Sequence, residues 1–302
     1  MTLIAGLVCE NAIVFAADSE ESGGIRKSNV EKIAHTDTEG FISLFKPREK
    51  HSTIMVAGAG CGPLCDFAAQ QILARAENHE YLFQVEEEIR KILVEIHTVN
   101  IPLHPGHENG DADFELLIAV RSPKYESLAL YSTHGAILVK RDRYFVCGSG
   151  ALASYLLDQV YEQYMAEEDG VAASLYMLQV AKKYLSGVGG DTVIRVLRKS
   201  GEINEKPRWE ITEEENLAKQ YAGMTGSLFL SLLRTRTGTQ EGFTSSLKTF
   251  NNGIRSLRKR KKKSDAWMDA MAESLLNQDS EDVSPEPSDS KQSDSEKSED
   301  QQ

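Results

Sequence analysis

The chain has 302 residues, 40% of them hydrophobic, with 34 Lys and Arg against 46 Asp and Glu for a net charge of −12. That length holds one large domain or two small ones; no run approaches the ~18 apolar residues of a membrane span, and the acidic balance argues against a nucleic-acid-binding body. Four cysteines (Cys9, Cys61, Cys65 and Cys147) without a secretory signal point to a reducing cytoplasm rather than a disulfide scaffold.

The first thirty-three residues carry the densest signal. Met1 to Val8 and Ala12 to Ser19 hold two short apolar runs separated by Glu10-Asn11, which predicts a buried β-hairpin. A polar, Gly-bearing turn follows, and Val30-Glu31-Lys32-Ile33 opens a third strand. Thr2 stands directly behind Met1 and is small enough for an aminopeptidase to remove that Met. Thr2 would then keep a free α-amine, of pKa about 8, beside a hydroxyl that needs a base to become a nucleophile. Asp18 and Lys32 can both point back at Thr2 if the three strands are neighbours. A lysine held there by a carboxylate favours the alkoxide by placing positive charge next to it. If Met1 stays, the stretch is only a buried hairpin.

Further along, Phe41–Phe45 and Thr53–Ala57 read as strands, the second running into Gly58-Ala59-Gly60. Glycine there admits close backbone approach or serves helix entry. Helical periodicity spans Pro63 to about His79 and Tyr81 to about Val99. Cys61 and Cys65 share a helix face without obvious partners for a metal, and His104 and His107 fall in a Pro-containing loop, so no metal site and no cofactor are expected. Strands follow at Phe114–Val120, Ser127–Tyr131, Gly135–Val139 and Tyr144–Cys147. Gly148-Ser149-Gly150 then opens a helix to about Glu167, and Val171–Leu185 is a further helix. Strands are expected at Thr192–Leu197 and near Trp209–Ile211. Strands, two helices, strands, two helices, strands is the order an α+β, four-layer αββα sandwich requires.

The Thr-leading strand, Ala16-Ala17-Asp18-Ser19, the polar turn and Lys32-Ile33 resemble the start of a proteasome β-subunit or of bacterial HslV, both N-terminal-nucleophile (Ntn) hydrolases. The resemblance covers about residues 1–221 and implies a threonine-type amide hydrolase, most plainly a peptidase acting on peptide or unfolded protein. It assigns Thr2 as nucleophile, Asp18 and Lys32 as the supporting charges, Gly58 as backbone donor to the oxyanion, and Ser149 as a hydrogen-bonding neighbour of the Thr α-amine. It places Glu20 or Glu21 and Val56 in the pocket for the residue before the scissile bond, where an acidic wall favours Lys or Arg. It implies a homo-oligomeric ring, fed by an ATPase or cap. One departure stands out. The family carries Asp-x-x-Ser-Gly-Gly before its penultimate strand, and alignment on Gly189-Gly190 puts Leu185 and Val188 at the Asp and Ser positions, with Ser186 or Asp191 as substitutes after a small shift. That departure opens two alternatives: a catalytically inactive subunit serving assembly or binding, and a small-molecule amidohydrolase on the same fold.

Residues 222–237, with Leu228-Phe229-Leu230-Ser231-Leu232-Leu233, predict an additional helix. Residues 238–302 are expected to be a mostly disordered charged tail: Arg258 to Lys263 are six consecutive basic residues, and Asp279 to Gln302 hold nine acidic residues and seven serines without an aromatic. Between them Trp267, Met271 and Leu275 lie at i, i+4, i+8, a short amphipathic segment.

Overall fold

The computed structural model describes residues 2–23, 26–29, 31–36 and 51–220, together with scattered positions between 247 and 262. The chain divides into two units, residues 1–222 and 223–302.

In the first unit the hairpin of β1 (Leu3–Val8) and β2 (Ala12–Asp18) forms the middle of a five-stranded sheet. That sheet is completed by β10 (Tyr144–Gly148), β11 (Thr192–Arg198) and β12 (Ile203–Glu205), in the order β10-β1-β2-β11-β12. The expected turn after Asp18 is itself a two-stranded hairpin, β3 (Glu20–Gly23) on β4 (Arg26–Asn29). A second five-stranded sheet runs β5-β6-β7-β8-β9. Its strands are β5 (Ile33–His35), β6 (Thr53–Gly60), β7 (Phe114–Ser122), β8 (Ser127–His134) and β9 (Ile137–Arg141). Every described pairing within the sheets is antiparallel.

The two sheets stack face to face, and a helix pair covers each outer side. Helices α1 (Gly62–Ala76) and α2 (Leu82–Glu95) pack on the second sheet. A π-helical turn at Ile96–Asn100 and the single turn α3 (Ile101–Leu103) continue α2. Helices α4 (Gly150–Val160) and α5 (Glu167–Tyr184) pack on the first sheet. Side chains alternate along each inner strand, because successive residues of a strand point to opposite faces. Leu3, Ala5 and Leu7 of β1, with Val14 and Ala16 of β2, meet α4 and α5. Ile4, Ile13, Phe15 and Ala17 point the other way, onto Met55, Ala57, Leu117 and Leu130 of the second sheet. Both faces are covered, which is why these strands read as near-continuous apolar runs rather than alternating ones.

Two expectations are corrected. The segment after the polar turn does not pair with β2: β5 belongs to the second sheet and pairs with β6, so Lys32 reaches the hairpin from across the sandwich. The stretch at Trp209–Ile211 is not a strand; residues 208–220 form a helix, α6, and the strand of this region is β12. Three residues are too short for periodicity to separate strand from helix, and Pro207 just before the helix fits a first turn. The proposed strand Phe41–Phe45 and the helix at 222–237 lie outside the described residues. In the second unit the described positions Leu247, Lys248, Asn251 to Gly253, Arg255, Ser256, Lys259 and Lys262 are helical, which composition did not reveal. Trp267, Met271, Leu275 and the acidic stretch lie outside the described residues.

Candidate active site

Thr2 is fixed by the edge of the first sheet. Leu3 stands opposite Gly148, and the Ser149 N–H donates to the Thr2 carbonyl at 2.9 Å. Gly148 has a φ of +78°, and a Cβ on it would overlap the Thr2 carbonyl oxygen. Glycine is therefore needed twice over, for the left-handed backbone and for the close approach. Ser149 is the N-cap of α4 and makes no side-chain cap bond; its recorded tie to Thr2 runs through the main chain.

Asp18 ends β2 and is fully buried. Both carboxylate oxygens are engaged. Oδ1 accepts from the Leu3 N–H at 2.9 Å and from Lys32 Nζ at 2.8 Å, and Oδ2 accepts from the Gly189 N–H at 3.1 Å. Lys32, 7% exposed, also donates to the Glu20 carbonyl at 2.7 Å. The carboxylate thus joins the residue after Thr2, the lysine from the opposite sheet and the loop before β11. Such pairing is what makes a buried ammonium tolerable.

A cleft of about 120 Å³ opens here, lined by Thr2, Lys32, Val56, Gly58, Glu31 and Asp66 among others. The direction of the Gly58 N–H follows from the sheet register. Gly58 stands opposite Leu116, whose N–H goes to Thr133 Oγ1 on the β8 side, so this pair exchanges no ladder bonds. Ile54, four residues earlier on β6, exchanges hydrogen bonds with Thr36 on the β5 side. Gly58 therefore aims its N–H toward β5, which starts only at Ile33, opposite Ala57. A Cβ at Gly58 would lie 2.7 Å from Cys65 Cβ, so α1 can sit this close to β6 only over a glycine. Cys65 lines the cleft as well, but burial pushes its thiol up to about 12.

Of the expected pocket residues, Val56 lines the cleft with Thr2. Glu20 does not: its carboxylate lies against Gly189. The Glu21 side chain lies outside the described residues. The acidic groups that do line the cleft are Glu31, beside Lys32, and Asp66, on α1. Ser186 is exposed and Asp191 pairs with Arg208 at 2.6 Å; neither lines the cleft. Leu185 and Val188 pack into the core between α5 and the first sheet.

Three features escaped sequence reasoning. Gly189 supplies a main-chain donor to Asp18. Lys182 of α5 donates to the Gly190 carbonyl at 2.9 Å and to Thr192 Oγ1 at 2.7 Å, with Glu215 of α6 3.6 Å away. Burial holds the Lys182 amine below its ordinary value despite Glu215. The third is Arg195, a charged residue in the apolar run Thr192-Val-Ile-Arg-Val-Leu, and that interruption was the signal available. Among the described residues no group of three or more His, Cys, Asp or Glu is placed to hold a metal, and no helix is long and apolar enough to cross a membrane.

No protein-family model matches the chain. It is similar to proteasome subunit beta 1 of Thermococcus kodakarensis, 28% identical over 204 residues that cover 66% of this chain and 90% of the relative. Among solved structures it is similar to the Gly-1 mutant of Anbu from Hyphomicrobium sp. strain MC1, with a TM-score of 0.60, 13% identity, and 75% and 97% of the two chains covered. It is also similar to the Anbu complex of Pseudomonas aeruginosa, solved as a helical assembly, with a TM-score of 0.57, 14% identity, and 75% and 95% covered. The chain has a proteasome- and HslV-like Ntn-hydrolase fold.

Proposed function

We propose that the chain is a threonine-type amide hydrolase acting on peptide bonds, with Thr2 as nucleophile once Met1 is removed. The observation that carries this reading is the buried Asp18–Lys32 pair, whose carboxylate is tied at 2.9 Å to the residue after Thr2 and whose lysine lines the same cleft as Thr2 and Gly58. In the proposed mechanism Thr2 Oγ1 attacks the substrate carbonyl carbon and its proton passes to the Thr2 α-amine. Lys32 favours the alkoxide through its charge, and Asp18 keeps the ammonium in place. The Gly58 N–H donates to the oxyanion, a contribution on the order of 100-fold in rate. Collapse breaks the C–N bond, the protonated Thr2 α-amine gives its proton to the leaving amine, and water then hydrolyses the Thr2 ester. Val56, Ala34 and Ala69 give the cleft apolar wall and Asp66 gives it negative charge, which suits a basic side chain with an aliphatic stem.

A homo-oligomer is part of the proposal, supported by likeness to a proteasome subunit and to an Anbu helical assembly. Head-to-tail interfaces close into rings or run on as helices according to the rotation between neighbours. An ATPase or cap that feeds substrate belongs to the same proposal. Leu185 and Val188 in place of the family's Asp and Ser favour a second reading, a catalytically inactive subunit.

Intact-mass measurement of the N-terminus, with a fluorogenic peptide assay, separates the two. The hydrolase reading expects a chain beginning at Thr2, turnover in the wild type, none in Thr2→Ala and partial turnover in Thr2→Ser. A retained Met1, or equal turnover in wild type and Thr2→Ala, overturns it.

A further inference from the structure

Lys32 reaches Asp18 from the other sheet, and the segment that carries it is gripped on both sides by one guanidinium. Arg195, midway along β11, is 7% exposed. Its Nη2 pairs with Glu31 Oε1 at 2.6 Å, and its Nη1 donates to the Ile33 carbonyl. Its Nε and Nη2 donate to Glu205 Oε2 on β12 at 2.9 and 2.7 Å. Glu31 and Ile33 are the two neighbours of Lys32. The Glu205 arm lies within the first sheet, whereas the Ile33 arm crosses to the first residue of β5 in the second.

A strand that needed only its own ladder would bury an aliphatic residue at position 195, because a buried cation is unfavourable unless its donors are met. Here all three guanidinium nitrogens are engaged, and two of them are spent on the residues flanking Lys32. The fork geometry matters: a planar group with donors in fixed directions can hold a carboxylate and a carbonyl two residues apart, whereas a lysine offers a single point charge. We propose that Arg195 is a positioning residue that fixes residues 31–33 across the sandwich, so that the Lys32 ammonium is delivered to Asp18 beside Thr2. This rests on the reading of Lys32 as part of the hydrolytic site. Arg195 acts through Lys32 and touches no reacting atom.

The test uses the full chain and two readouts. The first is independent of activity: acetylation of lysines by an amine-reactive reagent, followed residue by residue by mass spectrometry below the melting temperature. In the wild type Lys32 should be protected. In Arg195→Lys and Arg195→Met its labelling should rise about ten-fold or more, as local opening becomes easier, while Lys182 on α5 stays as it was. The second is peptide turnover, in which kcat should fall by about 100-fold with KM within two-fold, the pattern of a displaced catalytic charge rather than lost substrate binding. Glu205→Gln removes only the arm within the first sheet and should leave Lys32 protected. Unchanged Lys32 labelling in both Arg195 variants overturns the proposal. Raised labelling with unchanged turnover leaves the clamp standing and removes Lys32 from the hydrolytic site. If neither Arg195 variant folds, Glu31→Gln withdraws the exposed arm alone; increased Lys32 labelling supports the clamp and unchanged labelling overturns it.

Discussion

Asp18→Asn keeps the side-chain shape and removes the charge, so it isolates what the carboxylate does. In the folded chain Asp18 is 0% exposed and accepts from Leu3 N–H, Gly189 N–H and Lys32 Nζ. After the substitution Lys32, 7% exposed, has no counter-charge; removing one partner of a buried pair costs ~3–5 kcal/mol. The amide oxygen can still serve Leu3 and Lys32. Its NH₂ then faces the Gly189 N–H, donor against donor, which adds ~1–3 kcal/mol for an unsatisfied main-chain group. The two losses share one side chain and do not sum fully, so about 4 kcal/mol is expected. Adding Lys32→Met should recover most of it, because replacing both partners of a buried pair with apolar groups is often near neutral. Urea unfolding followed by circular dichroism at pH 7 measures this, at one fixed protein concentration, since assembly makes the midpoint concentration-dependent. A loss below ~1 kcal/mol, the range of a solvated pair, or a double variant no more stable than the single one, would refute the reasoning.

Gly148→Ala should lower the melting temperature and cut peptide turnover about 100-fold, because the new Cβ forces the Thr2 carbonyl to move; unchanged melting and turnover would contradict it. Glu167 accepts from Arg198 at 2.8 and 2.9 Å, which holds its carboxyl below the ordinary 4.5. A depressed carboxylate contributes stability that is present above 4.5 and lost as pH falls through the folded value. Glu167→Gln should therefore cost roughly 0.5–1 kcal/mol at pH 7, discounted for partial exposure, and progressively less as pH falls below 4.5; a pH-independent difference in denaturation midpoint would contradict the assignment. Brief alkylation of the native chain should modify Cys61 first. It is part-exposed and lies 3.6 Å from His104 Nε2, whereas burial pushes the Cys9 and Cys65 thiols up to about 12 and raises that of Cys147. Peptide mapping that finds Cys147 labelled as fast as Cys61 would refute that order.

Much of the sandwich was legible because both faces of β1, β2 and β6 are covered, and covered strands leave a strong apolar signature. The Gly148-Ser149-Gly150 step into a helix was legible as well, but not why Gly148 is glycine, since its positive φ and its contact with the Thr2 carbonyl appear only in the fold. Side chains that act across the sandwich were not. Arg195 and Ile33 lie 162 positions apart and Asp18 and Gly189 171 apart, and no local pattern encodes which distant residue meets which. Lys32 shows the difference well. Its residue type suggested a charge beside Thr2, yet the sequence pointed to a neighbouring strand while the chain brings it from the opposite sheet. Glu20 misled in the same way: it was expected in the pocket, whereas the acidic residue of this region that lines the cleft is Glu31, carried there by the segment leading into β5.

The loop before β11 departs from the pattern of the resembled family and still contacts Asp18. Where the resembled family has Asp and Ser side chains, Leu185 is partly buried against the core and Val188 is buried in it, so a polar side chain at 188 would need a partner of its own. The loop instead offers Asp18 a main-chain donor, and a peptide N–H contributes a hydrogen bond without depending on which side chain stands there. Such a donor is only as well placed as the loop. Here the Gly190 carbonyl and Thr192 are held by Lys182, and Thr192 in turn donates to Glu215 at 2.5 Å, so α5 and α6 jointly set the height of Gly189 over the carboxylate. In the proposed mechanism the loop therefore bears on Thr2 indirectly, from the Gly189 N–H to Asp18 and from Asp18 to Lys32, rather than through a side chain laid directly beside Thr2.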